Sequence, residues 1–429
     1  MRALYSFVLR LALPFVLARL AWRGLKSRGY WAHIPERLGF NDLQARESRV
    51  LWVHAVSVGE AQAALPVIRA LIEAQPDLEI VVTTTTPTGR ARVQNGLGDD
   101  VEIAYMPYDT PGAMNRFVDR LKPDGLIIME TEIWPNLMHA CARRDIPVAL
   151  VNARLSARSA VGYLKVPTLT KEAVRNFSVV LAQTDNDAER LASIGVPKDV
   201  MVVSGSVKFD VKLPPSLREA GAALRRRWGV DRGVFIAAST HEGEEQMVLD
   251  VLQTVRESIP DILLVLVPRH PERFARVAAL AKRYDLSVAR HSEAPATSVD
   301  ADVYLGDTMG DLPTLYAGSD VAFVGGSLVD VGGHNVLEPA ALGLPVLIGP
   351  HVRNFADISE RLVEAGAAKF VLNESDFAAV LEQWLKDANL RHASGQQGLH
   401  FVESNRGAVA TTVQCVAQMM DVTISPEEY

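Results

Sequence analysis

The chain has 429 residues, 48% hydrophobic and 22% charged, with a formal net charge of −7. That length exceeds one ordinary core and predicts two domains of roughly 200 residues each, and the globular composition excludes long disordered, low-complexity or repeat architectures. Net acidity argues against a general nucleic-acid binder. Two cysteines, Cys141 and Cys415, with no metal-type spacing, point to a reducing compartment and no disulfide framework.

Residues 1–28 form a basic apolar segment. Across the first forty residues Arg2, Arg10, Arg19, Arg23, Lys26, Arg28 and Arg37 stand against Glu36 alone. Such a segment on an acidic body predicts contact with anionic phospholipid. No small-residue cleavage site supports a secretory signal. Arg10 and Arg19 leave only Leu11–Ala18 uncharged, short of the ~20 residues a span needs, and Pro14 predicts a kink. The expectation is a helix lying in or shallowly entering the leaflet with its arginines among the phosphates. The alternative is an amphipathic helix packed on its own domain.

From residue 49 the chain alternates strand and helix. Apolar, β-branched runs at 49–56, 79–86, 101–108, 124–130, 147–154, 179–184 and 201–209 predict one parallel sheet. A polar stretch at 212–232 reads as a linker. The alternation restarts at 234–240, 262–270, 302–307, 321–327 and 345–350. The fold class is α/β, with two Rossmann-like domains (29–211 and 233–400) facing across a cleft. A terminal helical segment, 401–429, is expected by analogy to return to the first domain.

Open parallel sheets bind ligands beyond the carboxyl ends of their strands, so the candidates are read there. Glu60 follows the first strand at a helix start, where Gly59 permits a tight turn. It is a candidate general base, or a first-turn carboxylate that only complements the helix dipole. Glu130 and Glu132 end the 124–130 strand and are expected to point the same way along an extended chain. One of them can bind acceptor hydroxyls or steady an oxocarbenium-like transition state; capping of the helix after Pro135 is the plainer role. Lys208 can offset charge on a leaving phosphate, or be a solvated junction lysine.

In the second domain Arg269 can fork two donors onto phosphate or carboxylate. The glycines of 306–311 allow close approach by a base or ribose. The glycine-dense loop 325–335 offers free backbone amides to a phosphate, and Glu338 can accept from ribose hydroxyls. Arg269 and the Met309 loop are expected to converge on that loop. His54, His241, His270 and His334 read as scattered, neutral, hydrogen-bonding histidines. No metal constellation is apparent, so a metal-independent mechanism with no cofactor is the default.

The runs SVGE (57–60), TTTTPTG (83–89), ETEIWPN (130–136), NARLSARS (152–159), ASTHEGEE (238–245), VPRHPERF (267–274), GDTMGDLPTLY (306–316) and GGSLVDVGGHNVLEPAALGLPVLIGPH (325–351) together resemble the Kdo (3-deoxy-D-manno-octulosonic acid) transferases of lipopolysaccharide biosynthesis. The resemblance implies an inverting GT-B glycosyltransferase at the cytoplasmic face of the inner membrane. Its donor would be CMP-Kdo and its acceptor lipid IVA, the lipid A precursor. Carried over residue by residue, Glu60 would be the base, and Glu130 and Lys208 would stabilise the transition state. CMP would sit against Pro268 and Arg269, Met309, Gly310 and Asp311, and Asn335, Val336, Leu337 and Glu338. Asp311 stands where Glu is usual and Ser206 where Asn is expected. The rival readings are another GT-B enzyme using a UDP-sugar, a UDP-sugar epimerase, and a membrane-associated binding protein without catalysis.

Overall fold

The computed structural model describes residues 1–41, 43, 48–211, 213–293 and 299–422. Lys212, at the head of the expected linker, and residues 423–429 of the expected terminal segment lie outside the described residues. The chain divides into two compact units, Met1–Asp210 with Asn405–Tyr429, and Val211–Ser404.

In the first unit the strands are β1 (Val50–His54), β2 (Glu79–Thr84), β3 (Glu102–Tyr105), β4 (Gly125–Met129), β5 (Val148–Ala153), β6 (Val179–Ala182) and β7 (Met201–Val203). They form one sheet in the order β3-β2-β1-β4-β5-β6-β7, every pair parallel. β1, β4 and β5 are buried along their whole length. Helices cover both faces of such a sheet, so these strands are continuous apolar runs. Trp52 of β1 packs with Phe117 and Leu150 on one face. Its neighbour Val53 points the other way, to Ile68, Ile127 and Val413. Val413 belongs to the helix Ala408–Met419, which packs on the helix Val58–Ala74. Its start is held by Asp210, whose two carboxylate oxygens accept from the Gly407 and Val409 N–H groups at 2.7 and 2.6 Å.

The second unit contains β8 (Val234–Thr240), β9 (Leu263–Pro268), β10 (Val288–Arg290), β11 (Val303–Leu305), β12 (Val321–Val324), β13 (Val346–Ile348) and β14 (Ala368–Phe370). Their order is β10-β11-β9-β8-β12-β13-β14, again all parallel. The order reverses between β1 and β4 in the first sheet and between β8 and β12 in the second, where β11 is also inserted between β9 and the edge strand β10. A Rossmann sheet opens its ligand crevice at such a switch point.

Three features depart from the sequence reading. β10 and β14 are additional strands; each has three residues and carries a charge, Arg290 or Lys369, too little to show a period. The expected strand 201–209 stops at Val203. Gly205, at φ 81°, turns the chain, and Val207–Phe209 is a 3₁₀ turn. The N-terminal segment is one helix, Arg2–Lys26, continuing through Pro14. Its 25 residues span about 37 Å at ~1.5 Å each. By length and composition it is long and apolar enough to cross a membrane, although the uncharged run Leu11–Ala18 alone falls short.

The first turn of that helix is fastened to the first unit. Tyr5 donates its hydroxyl to Asp109 at 2.9 Å, and Ser6 donates to Asn136 at 2.9 Å. Leu4 within that turn, and Phe7, Val8, Leu11, Phe15, Trp22 and Leu25 beyond it, are all exposed. Trp31 folds back on the far end, where its indole N–H donates to the Ala21 carbonyl and its ring fills the space a Gly24 side chain would need.

Candidate functional site

Glu60 sits at the β1 end of the first switch point. Ser57 caps the helix Val58–Ala74 by accepting from the Glu60 N–H at 3.2 Å. The Glu60 carboxylate turns back, accepting from the Val56 N–H at 2.7 Å and the Ser57 hydroxyl at 2.9 Å. This is capping-box chemistry, so the plainer reading of Glu60 is physically real. It does not exhaust the residue. Burial pushes its pKa up to about 7; the Val56 and Ser57 hydrogen bonds pull against that, and nearby Glu132 and Glu130 push with it. A carboxyl poised near neutrality beside two others is what proton transfer at neutral pH requires.

The 130–132 segment is not the extended end that the sequence suggested. Glu130 lies at φ 58°, which sends the two side chains to different partners. Glu130 accepts from Arg154 Nε and Nη2 at 2.8 and 2.7 Å. Glu132 accepts from the Trp134 indole at 2.8 Å, and burial raises its pKa. Lys208 is half-buried, and desolvation lowers its pKa while Glu130 raises it and Arg154 lowers it. Glu60, Glu130, Glu132, Arg154 and Lys208 therefore share one electrostatic neighbourhood. Asn152 builds its floor: at φ 53°, it accepts on Oδ1 from the Ser206 hydroxyl and the Val207 N–H at 3.2 and 3.3 Å. Ser206 thus anchors the turn bearing Lys208, a task within reach of a hydroxyl where an amide was expected.

In the second unit the glycine loop departs most from expectation. Glu244, fully buried, accepts from the N–H groups of His241, Gly326, Ser327 and Leu328 at 2.8, 2.7, 3.0 and 2.9 Å. Gly332 and Gly333 donate theirs to the Gly326 carbonyl. The N–H groups of Gly326, Ser327, Leu328, Gly332 and Gly333 are thus satisfied within the protein, and Glu244 occupies the anion nest that three of them form. The next carboxylate, Glu245, takes the Thr240 hydroxyl at 3.0 Å and pairs with Arg273.

Arg269 follows β9, is exposed, and has its N–H on the Thr240 carbonyl. Its charge reaches His241, His334 and Glu338, lowering the pKa of each. Glu338, raised overall by burial, accepts from the Asn335 amide at 3.0 Å, and Asn335 Oδ1 takes the Leu337 N–H at 3.1 Å. The Val336 and Leu337 side chains are buried in the core, and the Leu337 N–H is capped by Asn335. Pro268 is buried as the last residue of β9. Met309 is exposed, and Gly310, at φ 99°, has open space beside it. Asp311 lies 3.6 Å from His291, just after β10.

The histidines are not scattered. His241, His270 and His334 follow β8, β9 and β12, which are adjacent in the sheet. His241 and His334 face each other at 2.8 Å between Nε2 atoms, and the His241 and His270 rings meet edge to face at 5.4 Å. His54 stands apart in the first unit, buried against Thr83 and Trp134, its pKa lowered to about 4 by burial. No group of three or more His, Cys, Asp or Glu side chains able to hold a metal occurs among the described residues. Arg154, Asn152, Glu244, Glu245 and Arg273 lie at or just after strand ends or within the motif runs, but the sequence assigned none of them a role of its own. One usable signal was Asn152 in an apolar strand, since Asn tolerates left-handed backbone.

A family profile described as 3-Deoxy-D-manno-octulosonic-acid transferase (kdotransferase) matches residues 32–211. A second, Glycosyl transferases group 1, matches residues 234–401. The 3-deoxy-D-manno-octulosonic acid transferase of Haemophilus influenzae is 39% identical over 95% of this chain and 96% of its own length. That of Bordetella pertussis is 37% identical over 97% and 98%. The crystal structure of UDP-GlcNAc 2-epimerase from Neisseria meningitidis, bound to UDP-GlcNAc, superposes with a TM-score of 0.57 over 86% of this chain and 100% of that one. At 16% identity it shows the shared two-domain fold alone. With two parallel seven-stranded sheets of GT-B type and relatives of this identity along nearly its whole length, the chain belongs to the 3-deoxy-D-manno-octulosonic acid transferase family of glycosyltransferases.

Proposed function

We propose that the chain transfers Kdo from CMP-Kdo to a hydroxyl of lipid IVA, with inversion, as a step of lipopolysaccharide inner-core synthesis at the cytoplasmic face of the inner membrane. The observation that carries this reading is Glu60, a buried carboxyl at the β1 end held near neutrality among Glu130, Glu132, Arg154 and Lys208. Glu60 takes the acceptor's hydroxyl proton as the oxygen attacks the anomeric carbon. The bond from that carbon to the phosphate oxygen breaks, and CMP departs with the electron pair. Glu130, oriented by Arg154, steadies the positive charge on the sugar, and Lys208 offsets the charge on the leaving phosphate. The second unit holds the cytidylate through Arg269, the Met309–Asp311 loop and Asn335–Glu338. No metal or cofactor takes part in this reading.

The exposed apolar side of the helix Arg2–Lys26, with Arg10, Arg19, Arg23 and Lys26 along it, supports docking on anionic phospholipid. The fastening of Tyr5 and Ser6 ties the helix to the unit that carries Glu60. Mass spectrometry of lipid IVA after incubation with the purified protein and CMP-Kdo tests donor and acceptor together. The expected product is lipid IVA carrying at least one Kdo. No mass gain, together with thermal stabilisation by UDP and none by CMP, would return the chain to the UDP-sugar readings.

A further inference from the structure

The His241–His334 contact is a built feature of the second unit. The two rings are nearly coplanar, 11° apart, with Nε2 atoms at 2.8 Å. At that geometry one Nε2–H donates to the other Nε2 lone pair. The acceptor ring then carries its proton on Nδ1, and the pair keeps one free lone pair, on Nδ1 of the donor ring. The surroundings hold this arrangement. Gly326, at φ 67°, lies under the rings, and a Cβ there would come within 3.0 Å of His334 Nε2 and 3.5 Å of His241 Cδ2. The loop bearing that glycine and the backbone of His241 are fastened by the same Glu244 carboxylate.

The pair stands in a cationic setting. Arg269 and His270 face both rings, and Arg273 faces His241. The opposing carboxylate, Glu245, is committed to Arg273 and Thr240. Burial first, and then these neighbours, lower the pKa of both histidines, that of His334 to about 4. The free pair is therefore neutral at pH 7. An arriving anion changes the balance, since it cancels the repulsion that keeps the proton off.

We propose that the His241–His334 pair takes up one proton from solvent when a phosphate dianion binds beside Arg269, and so holds the charge that the nucleotide gains on leaving. The proposal rests on the reading that this unit holds a nucleotide monophosphate. In the sugar donor the phosphate is a diester with one negative charge. When the bond from the anomeric carbon to oxygen breaks, the electron pair stays on that oxygen and the phosphate becomes a dianion. The proton enters at the free Nδ1 of the donor ring, leaving the Nε2–H···Nε2 bridge intact. The bridge becomes a charge-assisted hydrogen bond, stronger than a neutral one. A second proton would have to go onto the acceptor Nε2 and break it, so the pair stores one.

Titration calorimetry of CMP into the full chain at pH 7.5, in buffers of differing ionisation enthalpy, measures the protons taken up. At that pH free CMP is already a dianion. The expected result is roughly half to one proton per CMP for the wild type, none for cytidine, and close to zero for His334→Gln and His241→Gln, with CMP affinity in the wild type falling up to ~tenfold per pH unit above neutrality. CMP binding without proton uptake, or equal uptake by both variants, overturns the proposal and leaves the nucleotide reading intact. No CMP binding by the wild type overturns both.

Discussion

Replacing Glu60 by Gln removes a titrating oxygen while leaving an acceptor for the Val56 N–H and an amide beside the Ser57 hydroxyl. The capping geometry is therefore retained, and the loss to be measured is chemical. Removal of a general base costs ~10²–10⁴ in rate. The pH dependence is the sharper measurement. A base acts when deprotonated, so activity climbs with pH through its pKa. With Glu60 at about 7, the ionised fraction goes from about 9% at pH 6 to about 91% at pH 8, so kcat/KM rises about tenfold. An ordinary glutamate, with pKa ≈ 4.3, would give a flat profile over that range. Glu132 raises the Glu60 pKa, so Glu132→Gln is expected to move the midpoint to lower pH. Initial rates of CMP release, from pH 5.5 to 8.5, supply both profiles. A flat wild-type curve, or Glu60→Gln within tenfold of wild type, would refute the assignment of Glu60 as base.

Glu244→Ala strands four N–H groups, two of them buried and two half-buried. Each unpaired buried group costs ~1–3 kcal/mol, offset in part by water that enters; a loss on the order of 3 kcal/mol is expected by denaturant unfolding, and a loss below ~1 would show that the loop holds itself. Gly395→Ala places a Cβ against the Gly343 carbonyl, 1.9 Å away before any adjustment. Overpacking costs ~1–3 kcal/mol, so calorimetry should show Tm lowered by several degrees, and an unchanged Tm would mean that the helix Ala388–Ser404 shifts freely.

Much of this was legible along the chain because parallel strands buried on both faces are unbroken apolar runs. Leu51–Val53, Leu126–Met129 and Leu263–Val267 announce themselves, and Glu60, Glu130 and Arg269 come soon after them. What stayed hidden depended on backbone twist or on pairing between distant segments. The extended geometry expected at Glu130 fails because its φ is positive, which no local pattern declares. The glycine loop was read as a phosphate cradle because glycines mark where amides are exposed. The carboxylate that fills it comes from a helix some eighty residues earlier. The same distance concealed the meeting of His241 and His334, which only the adjacency of β8 and β12 brings about.

Asp210 is the last residue before the chain leaves the first unit, and it holds Gly407 and Val409, just after the chain comes back. Topologically, residues 211–404 are a cassette spliced into a host whose cut ends touch. A bridge of a few residues, at ~3.5 Å each, would be long enough to seal the host without them. An inserted module of this kind can be exchanged by recombination with little demand on the host fold. The two parallel sheets are thereby written in separable stretches of one polypeptide, and one aspartate clasps the join.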